Sequence, residues 1–358
     1  MARIAFYAPL KSPNHPVPSG EREMARNLMA ALQSDGHQID LVSEFRSLEK
    51  AGSQTQQNAL VTSARAETAA LVARGGWDAW VTYHSYYKAP DLIGPDVCDA
   101  LDIPYAVIEA TRASKRLSGP WADFERRAAG VCDRADVLFY LTERDAVALR
   151  EHLRPHQNLV HLPPFLNRQA EAKAPQTQSE PIILLVGMMR PGDKLASYKR
   201  AAEILMRLGD GDWRVEIAGD GPARSDVETL MSPLGKRVTF LGQLDAAGVQ
   251  AAYARARAFL WPGVNEAFGM VYLEAQSAGV PVVAEDRYGV RDVVHPEGVF
   301  PPDDDTALAQ ELQRLLNDPN HHKHRAHEAH AMIAKTHLIG AARDILWGAL
   351  APLIPEAT

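Results

Sequence analysis

Short apolar runs alternate with segments of helical period along nearly the whole chain. The runs are rich in β-branched and aromatic residues and are bounded by Gly, Pro or Asp, which is typical of parallel strands connected by helices. The strands predicted in the first half are 3–8, 38–42, 79–83, 105–108, 137–141 and 159–162, and the clearest helices there are 21–33, 57–74 and 143–153. Such a chain is expected to fold into α/β units that bind ligands at the carboxyl ends of their strands.

The chain changes character after Phe165. Residues 167–181, NRQAEAKAPQTQSEP, are polar, contain two prolines and show no period that could bury one face. We therefore predict a linker at 166–180 between two α/β domains, residues 1–165 and 181–335, that face each other across a cleft. A second series of strands is predicted at 182–186, 214–218, 238–241, 258–261 and 281–284.

Composition excludes several classes of protein. A formal net charge of −7 over 358 residues argues against a nucleic-acid partner, because nucleic-acid binders carry a broad basic face. Cys98 and Cys132 are far apart in sequence, which favours free thiols, and no signal peptide is recognised, so we expect a cytoplasmic protein. The longest apolar run, 182–189, is too short to span a bilayer, so any membrane contact is expected to be peripheral.

The stretch WPGVNEAFGMVYLEAQSAGVPVVAE, residues 261–285, places one glutamate in a loop and another on a helix. Glu266 follows a predicted strand, and a helix predicted at about 267–279 includes Glu274. Three backbone N–H groups in the first helical turn would be unpaired and would attract an anion. They belong to Phe268, Gly269 and Met270. At ~1.5 Å per residue, Glu274 is expected roughly 9 Å from the helix start.

Two carboxylates at this separation suit a long polyhydroxylated ligand with phosphates in its middle. A nucleotide-sugar has this shape: its sugar hydroxyls would lie near Glu266, its diphosphate at the helix start and its ribose hydroxyls near Glu274. Gly269 would let such a ligand approach the backbone closely. The alternative is a surface loop glutamate and an unrelated helix glutamate, which is the commoner case for an arbitrary pair.

Glu266-AFGMVYL-Glu274, followed by AQSAGVPVVA, resembles the E-x7-E motif of the retaining family 4 glycosyltransferases, also called glycosyl transferases group 1. Four other segments are similar to this family. They are AGDGP, with Gly219 in the turn after a strand, VTFLGQL at 238–244, LVGMMRPGDKLASYKR at 185–200 and PVPSGEREMARNLMAALQSDGH at 16–37. The resemblance covers most of the chain and implies the GT-B fold, two Rossmann-like α/β domains facing each other across a cleft. It also implies that a C-terminal helix, at about 336–358, packs back on the first domain.

The resemblance implies a phosphate-binding arginine and lysine within 185–200. Family members place the arginine directly after the glycine that ends the strand, here Gly187, whereas two methionines separate Gly187 from Arg190 in this chain. Lys194 keeps the family's offset from that glycine. Cations at these positions would stabilise a diphosphate leaving group more in the transition state than in the ground state. Relatives of this kind need no metal or other cofactor, so we expect none.

Polar side chains also follow two predicted strands of the first domain. His84 is a candidate acid or base near neutral pH, and a structural histidine beside two tyrosines is an equal alternative. Glu109 stands where many relatives carry a histidine; it either positions the acceptor hydroxyl or the donor sugar, or pairs with Arg112. The cluster of Arg112, Lys115 and Arg116 either binds a phosphate of the donor or acceptor or is a solvated loop.

Ser19 and Gly20 directly precede the predicted helix 21–33. They form a second helix N-terminus, which is expected to bind an anion, to cap the helix or to do both. Glycine at this position would permit a ligand to approach closely.

The histidine-rich stretch HHKHRAHEAH, residues 321–330, carries five histidines. We interpret it as a solvated helix face, because no turn or strand completes a metal-ligand set around it. The aspartates at 303–305, and Asp210 with Asp212, lie in turn-like loops and are interpreted as turn residues, because relatives with the GT-B fold generally need no metal.

These observations predict a glycosyltransferase that moves a sugar from a nucleotide-sugar donor to an acceptor hydroxyl, with retention of anomeric configuration as the resemblance implies. The second domain would hold the donor and the first would hold the acceptor, which is a glycan, a lipid, a protein or a small molecule. Two alternatives stay open. One is an epimerase or hydrolase that acts on nucleotide-sugars with the same fold, and the other is a noncatalytic subunit that binds the donor without turnover.

Overall fold

The computed structural model describes residues 1–17, 19–33, 36–169 and 180–354. The chain divides into two compact units: unit 1 comprises Met1–Asn167 and Ile339–Thr358, and unit 2 comprises Arg168–Leu338. Most of the predicted linker 166–180 lies outside the described residues. Within the described ranges, each unit has its own six-stranded sheet.

Unit 1 is built on a parallel sheet. Its strands are β1 (Arg3–Tyr7), β2 (Gln38–Ser43), β3 (Ala79–Ser85), β4 (Tyr105–Ala110), β5 (Val137–Tyr140) and β6 (Asn158–His161). Its helices before residue 168 are α1 (Gly20–Leu32), α2 (Gln54–Arg74), α3 (Gly94–Leu101), α4 (Ala122–Arg134) and α5 (Glu143–Glu151). The strand order is β2-β1-β3-β4-β5-β6, and the central strands β3 and β4 are almost completely buried. Burial along nearly the whole length of β3 and β4 explains why these strands read as continuous apolar runs.

Unit 2 repeats the same architecture. Its strands are β7 (Ile182–Val186), β8 (Arg214–Ala218), β9 (Val238–Gly242), β10 (Ala258–Leu260), β11 (Val282–Glu285) and β12 (Val299–Phe300). Its helices are α6 (Asp193–Leu205), α7 (Arg224–Met231), α8 (Ala246–Arg255), α9 (Met270–Ser277), α10 (Asp305–Asn317) and α11 (Pro319–Thr336). The parallel order β12-β11-β10-β7-β8-β9 places the carboxyl ends of β10, β7 and β8 next to one another.

The last helix, α12 (Ile339–Leu350), belongs to unit 1 although it follows unit 2 in the chain. It packs against α1 and buries Ala342, Leu346 and Leu350. The indole N–H of Trp347 donates to the Leu32 carbonyl at 3.2 Å. The same ring stacks on His37 at a centroid distance of 3.6 Å, so the docking of α12 combines apolar burial with a directional contact.

The histidine-rich stretch lies on α11, and the prediction of a solvated face is wrong for part of it. His322 is completely buried, and its Nε2 lies 3.0 Å from the Arg257 carbonyl oxygen. His321 lies 3.0 Å from a Glu311 carboxylate oxygen with only 10% of its side chain exposed. His324 and His327 are the exposed ones. α11 packs on α9 and α10, so only one side of the helix meets water.

Membrane contact was predicted to be peripheral at most. In the part of the chain that the structure describes, no helix is both long enough and apolar enough to cross a bilayer.

Candidate active site

A carboxylate, an indole and an ammonium group meet in unit 2 beside the ends of β7 and β10. Glu266 Oε1 accepts a hydrogen bond from Trp261 Nε1 at 3.0 Å and also contacts the Lys194 ammonium. Lys194 Nζ lies 5.4 Å from the centre of the Trp261 ring. Only 12% of the Glu266 side chain is exposed, so its charge depends strongly on these partners. We name Trp261, Lys194 and Glu266 the Glu266 cluster.

Two glycines that were predicted to contact the ligand let the chain segments around this cluster approach closely. A Cβ on Gly187, directly after β7, would lie 2.9 Å from the Trp261 ring. A Cβ on Gly219, directly after β8, would lie 1.9 Å from the Gly187 carbonyl oxygen, and its φ of 145° also favours glycine. The structure thus shows Gly187 and Gly219 making room for protein atoms, and their contact with a ligand stays a prediction.

Helix α9 begins three residues later than predicted. Gly269 is its N-cap with φ of 76°, and Phe268 is buried in the loop before it. A left-handed residue cannot continue a helix, so of the three predicted first-turn residues only Met270 lies in the first turn. The backbone N–H groups of Met270 and Val271 both lack an acceptor among the described residues. The expected anion-binding end therefore exists, but it is formed by 270–271.

Glu274 lies four residues into α9, roughly 6 Å along the helix at ~1.5 Å per residue. Its Oε2 accepts a hydrogen bond from the Tyr253 hydroxyl at 3.2 Å. Burial raises the pKa of Tyr253, and the Glu274 carboxylate raises it further, so the phenol stays a hydrogen-bond donor.

The two predicted cations lie in different surroundings. Lys194 is the second residue of α6 and contacts Glu266. Arg190 lies in the loop between β7 and α6, where it is exposed and its side chain has no partner within the described ranges. The structure therefore brings Lys194, but not Arg190, into the Glu266 cluster.

In unit 1, His84 and Glu109 lie side by side near the ends of β3 and β4. They were predicted just after their strands, but each is the penultimate residue of its strand. The prediction ended the strands too early because pairing resumes between Ser85 and Ala110 after both residues turn to positive φ, 61° at His84 and 59° at Glu109. His84 Nδ1 lies 2.8 Å from Glu21 Oε1 and 3.9 Å from Glu109 Oε1.

Burial and neighbouring charges shift the pKa values of this pair in a linked way. Burial raises the pKa of Glu109 to about 7; the nearby His84 opposes this rise, while Glu21 and Asp145 add to it. Burial alone would lower the pKa of His84, but the carboxylates of Glu109 and Glu21 outweigh it and raise that pKa to about 9. Glu109 Oε2 is buried without a hydrogen-bond partner in the described chain. Near neutral pH an imidazolium thus lies beside a partly protonated carboxyl group.

The three residues of the predicted basic cluster in unit 1 differ in their surroundings. Arg112 pairs with Asp133, so the predicted alternative of an Arg112–Glu109 pair is not observed. Lys115 and Arg116 lie in an exposed helical turn, Ser114–Arg116. Arg112 therefore has a structural partner, whereas the other two remain candidates for ligand binding.

At the start of α1, Ser19 acts as the cap. Its Oγ accepts from the Arg22 N–H at 3.3 Å and from Lys11 Nζ at 2.7 Å. Gly20 is the first helical residue, and a Cβ there would meet only open space. Capping is thus observed, and ligand contact at Gly20 stays a prediction.

Sequence reasoning missed two residues of these sites. Trp261 was read only as the end of a strand, although an indole followed by a Pro-Gly turn directly before Glu266 is a usable signal. Glu21 was read only as the start of a helix. Its contact with His84 joins residues 63 positions apart, and no local pattern indicates such a pair.

Comparison with known proteins agrees with this architecture. Residues 180–318 match the family model described as Glycosyl transferases group 1. The alpha-D-kanosaminyltransferase of Streptomyces kanamyceticus is 29% identical over 284 residues, which are 74% of this chain and 72% of that protein. The 2-deoxystreptamine glucosyltransferase of the same organism is 27% identical over 261 residues, 64% of this chain and 65% of that protein.

Solved structures show the same fold. Sucrose-phosphate synthase from Thermosynechococcus elongatus aligns with a TM-score of 0.72 at 19% identity, over 98% of both chains. Anabaena HepE in complex with UDP-glucose aligns with a TM-score of 0.69 at 15% identity, over 99% of this chain and 100% of that one. The fold is that of the GT-B enzymes. The family-model match and the two relatives make this chain similar to the glycosyl transferases of group 1.

Proposed function

We propose that this chain transfers a sugar from a nucleotide-sugar donor to an acceptor hydroxyl with retention of anomeric configuration. The observation that carries the proposal is the Glu266 cluster. Its members Trp261 and Glu266 lie a few residues before the unpaired N–H groups at the start of α9. A carboxylate that accepts sugar hydroxyls and a helix end that favours phosphates are the two features a nucleotide-sugar requires. HepE, solved with UDP-glucose, shares the fold and makes UDP the first nucleotide to test.

The donor roles follow from the contacts in unit 2. Glu266 would accept hydrogen bonds from the sugar, the amides of 270–271 would bind the diphosphate, and Glu274 would accept from the ribose. Lys194, placed against Glu266, would neutralise charge on the diphosphate as the sugar bond breaks. Arg190 would reach the same phosphates from its exposed loop. We propose that these groups suffice without a metal or another cofactor.

The acceptor roles follow from unit 1. Imidazolium His84 and the carboxyl of Glu109 offer a donor and a proton-accepting group to an acceptor hydroxyl. The carboxylates near them have observed partners in the protein, and none is suited as a covalent nucleophile. Retention would then come from attack on the face that the diphosphate leaves.

The test is a binding and turnover comparison with UDP-sugars. Wild type, Lys194→Ala and Lys199→Ala are titrated with UDP; Lys199 is an exposed lysine on the same helix and serves as the matched control. At a hundredfold excess of ligand over Kd, UDP should stabilise wild type and the control by about 2.7 kcal/mol, and Lys194→Ala should lose most of this gain.

Turnover separates transfer from the alternatives. We expect sugar transfer to an added acceptor, with the product anomer matching the donor by proton NMR. Sugar release or isomerisation at the same rate without any acceptor would identify a hydrolase or epimerase. UDP binding with no turnover on any acceptor tried would support a noncatalytic subunit.

A further inference from the structure

We propose that Lys88 and Arg116 of unit 1 form a binding site for a phosphate group carried by the acceptor, an inference that rests on the transferase function proposed above. Lys88 lies four residues after His84, and Arg116 belongs to the exposed turn Ser114–Arg116. The two cations come from different segments and lie near the same two aromatic rings.

Both cations lie against the same pair of aromatic rings. The rings of Tyr87 and Trp121 make a T-shaped contact at a centroid distance of 5.7 Å. Lys88 Nζ lies 5.6 Å from the Tyr87 centroid and 5.3 Å from that of Trp121. Arg116 Cζ lies 5.1 Å and 5.5 Å from the same two centroids. Both positive charges thus lie within 5.6 Å of the same two ring centres.

Neither cation has a carboxylate partner among the residues that the structure describes. Two other cations over rings do have one: Arg150 over Tyr140 pairs with Glu143 at 2.8 Å, and Arg291 over Tyr288 pairs with Asp286 at 2.8 Å. Two like charges held together without a counter-charge repel each other, and an anion between them removes this cost. This arrangement therefore favours the binding of an anion.

Neighbouring acids do not supply the counter-charge. Glu49, whose backbone N–H donates to the Lys88 carbonyl at 2.8 Å, uses its carboxylate to accept from the N–H groups of Ala51, Gly52 and Ser53. Asp123 is engaged by Arg126 and Gln54. The indole N–H of Trp121 is also buried without an acceptor in the described residues.

A continuous series of ring contacts joins Tyr87 and Trp121 to His84, which lies beside Glu109. The His84 and Tyr86 rings are 5.0 Å apart, the Tyr86 and Tyr87 rings 5.4 Å, and the Tyr87 ring is the one between the cations. An acceptor whose hydroxyl meets His84 would place a second group over Lys88 and Arg116. A phosphate fits best there, because a guanidinium and an ammonium together bind its several oxygens by charge-assisted hydrogen bonds.

The experiment is calorimetric titration with inorganic phosphate in a buffer without other oxyanions and with saturating UDP present. The variant Lys88→Gln/Arg116→Gln keeps much of the side-chain bulk, and Arg116→Gln alone is used if the double variant has a lowered Tm. The matched control is Arg74→Gln, an exposed arginine 4.6 Å from the Trp77 centroid. We expect phosphate to bind wild type and control equally and the charge variants at least tenfold more weakly.

Phosphate binding that survives in the charge variants would overturn the inference. UDP is titrated into each protein first: if UDP binds and phosphate does not bind wild type, only this inference fails, whereas loss of both defeats the proposed function. A third arm uses vesicles of phosphatidylglycerol. If vesicles bind through Lys88 and Arg116 but inorganic phosphate does not, the surface is a membrane contact, and the acceptor-phosphate site is wrong.

Discussion

Glu266 makes both of its observed contacts through one oxygen, Oε1, which meets the Trp261 indole and the Lys194 ammonium. In the described chain its other oxygen, Oε2, has no hydrogen-bond partner. The two contacts of Oε1 hold the carboxylate in place, and Oε2 remains able to accept a hydrogen bond from a ligand hydroxyl. The rigidity matters because a group that is already oriented loses little entropy when the ligand binds.

Glu266→Gln should therefore impair turnover more than donor binding. The amide keeps the shape of the side chain, but it removes the charge that holds Lys194 and that, under the proposed function, would accept strongly from the sugar. We expect kcat to fall roughly 100-fold, the scale of losing one preorganised polar group. UDP affinity should stay the same or improve, because Lys194 is released toward the phosphates. Steady-state kinetics beside UDP calorimetry measure both, and a kcat close to wild type would remove Glu266 from the site.

His84 should make unit 1 less stable as pH rises. Its pKa in the folded protein is about 9 against 6.5 for an ordinary histidine, so the folded state holds a proton that the unfolded chain loses. This stability is fully present below pH 6.5 and is lost as pH rises through about 9, by roughly 3 kcal/mol. Thermal denaturation of unit 1 across that range should show the loss, and His84→Gln should flatten it. An unchanged slope in the variant would contradict the shifted pKa.

At the scale of elements, α11 shows how a buried histidine couples a helix to its neighbours. The Nε2 atom of His322 lies 3.0 Å from the Arg257 carbonyl oxygen, just before β10. Its Nδ1 is buried without a partner among the described residues, so a proton added there would find no acceptor. Burial, and then the nearby Arg257, lower the pKa of His322 to about 4.

Unit 2 should therefore lose stability in mild acid. The unfolded chain takes up a proton at His322 near pH 6.5, whereas the folded unit resists it until about pH 4. Between these values the free energy of unfolding should fall by roughly 3 kcal/mol. His322→Gln, which keeps a donor for the Arg257 carbonyl, should flatten this acid dependence in urea titrations. His327→Gln, on the exposed side of α11, is the control and should behave as wild type.

The sequence predicted strands better than it predicted contacts. All eleven predicted strands are present, each with bounds within two residues, because apolar runs between Gly, Pro and Asp are local signals. β12, only two residues long, was missed for lack of such a run. The start of α9 was misplaced because AFG has helical composition, and only the positive φ of Gly269 shows that the helix has not yet begun. The buried side of α11 depends on packing against α9 and α10, which residue spacing does not reveal.

Site residues could be proposed from the sequence where they lie within short segments of recognisable pattern. Glu266, Glu274 and Lys194 stand at recognisable spacings along the chain. The pairs Glu21–His84 and Lys88–Arg116 join separate elements, and their meeting is a result of tertiary structure alone.

At the scale of the whole molecule, the chain completes unit 1 only with its last helix. α12 packs on α1, and Trp347 contributes a hydrogen bond to Leu32 and a stacked contact with His37. Truncation after Leu338 should expose the apolar face of α1 and lower the stability of unit 1 by several kcal/mol, since three buried aliphatic side chains and an indole are lost.

The same truncation should spare the donor site, because every residue assigned to it lies within Arg168–Leu338. Hydrogen exchange resolved by segment, together with UDP titration, checks both halves of this prediction. Protection should fall in α1 and persist in β7 and β10, with UDP affinity unchanged. Lost UDP binding would show instead that α12 supports unit 2.

Unit 1 is formed by two separate parts of the chain, and this affects how it can fold during synthesis. A ribosome releases β1 to β6 first, but it must still translate all of Arg168–Leu338 before α12 emerges. At about 5–20 residues per second, this interval lasts on the order of 10 s or more. During it, α1 has no contact with α12, its final partner. Unit 1 can therefore complete its fold only after all of unit 2 has been translated.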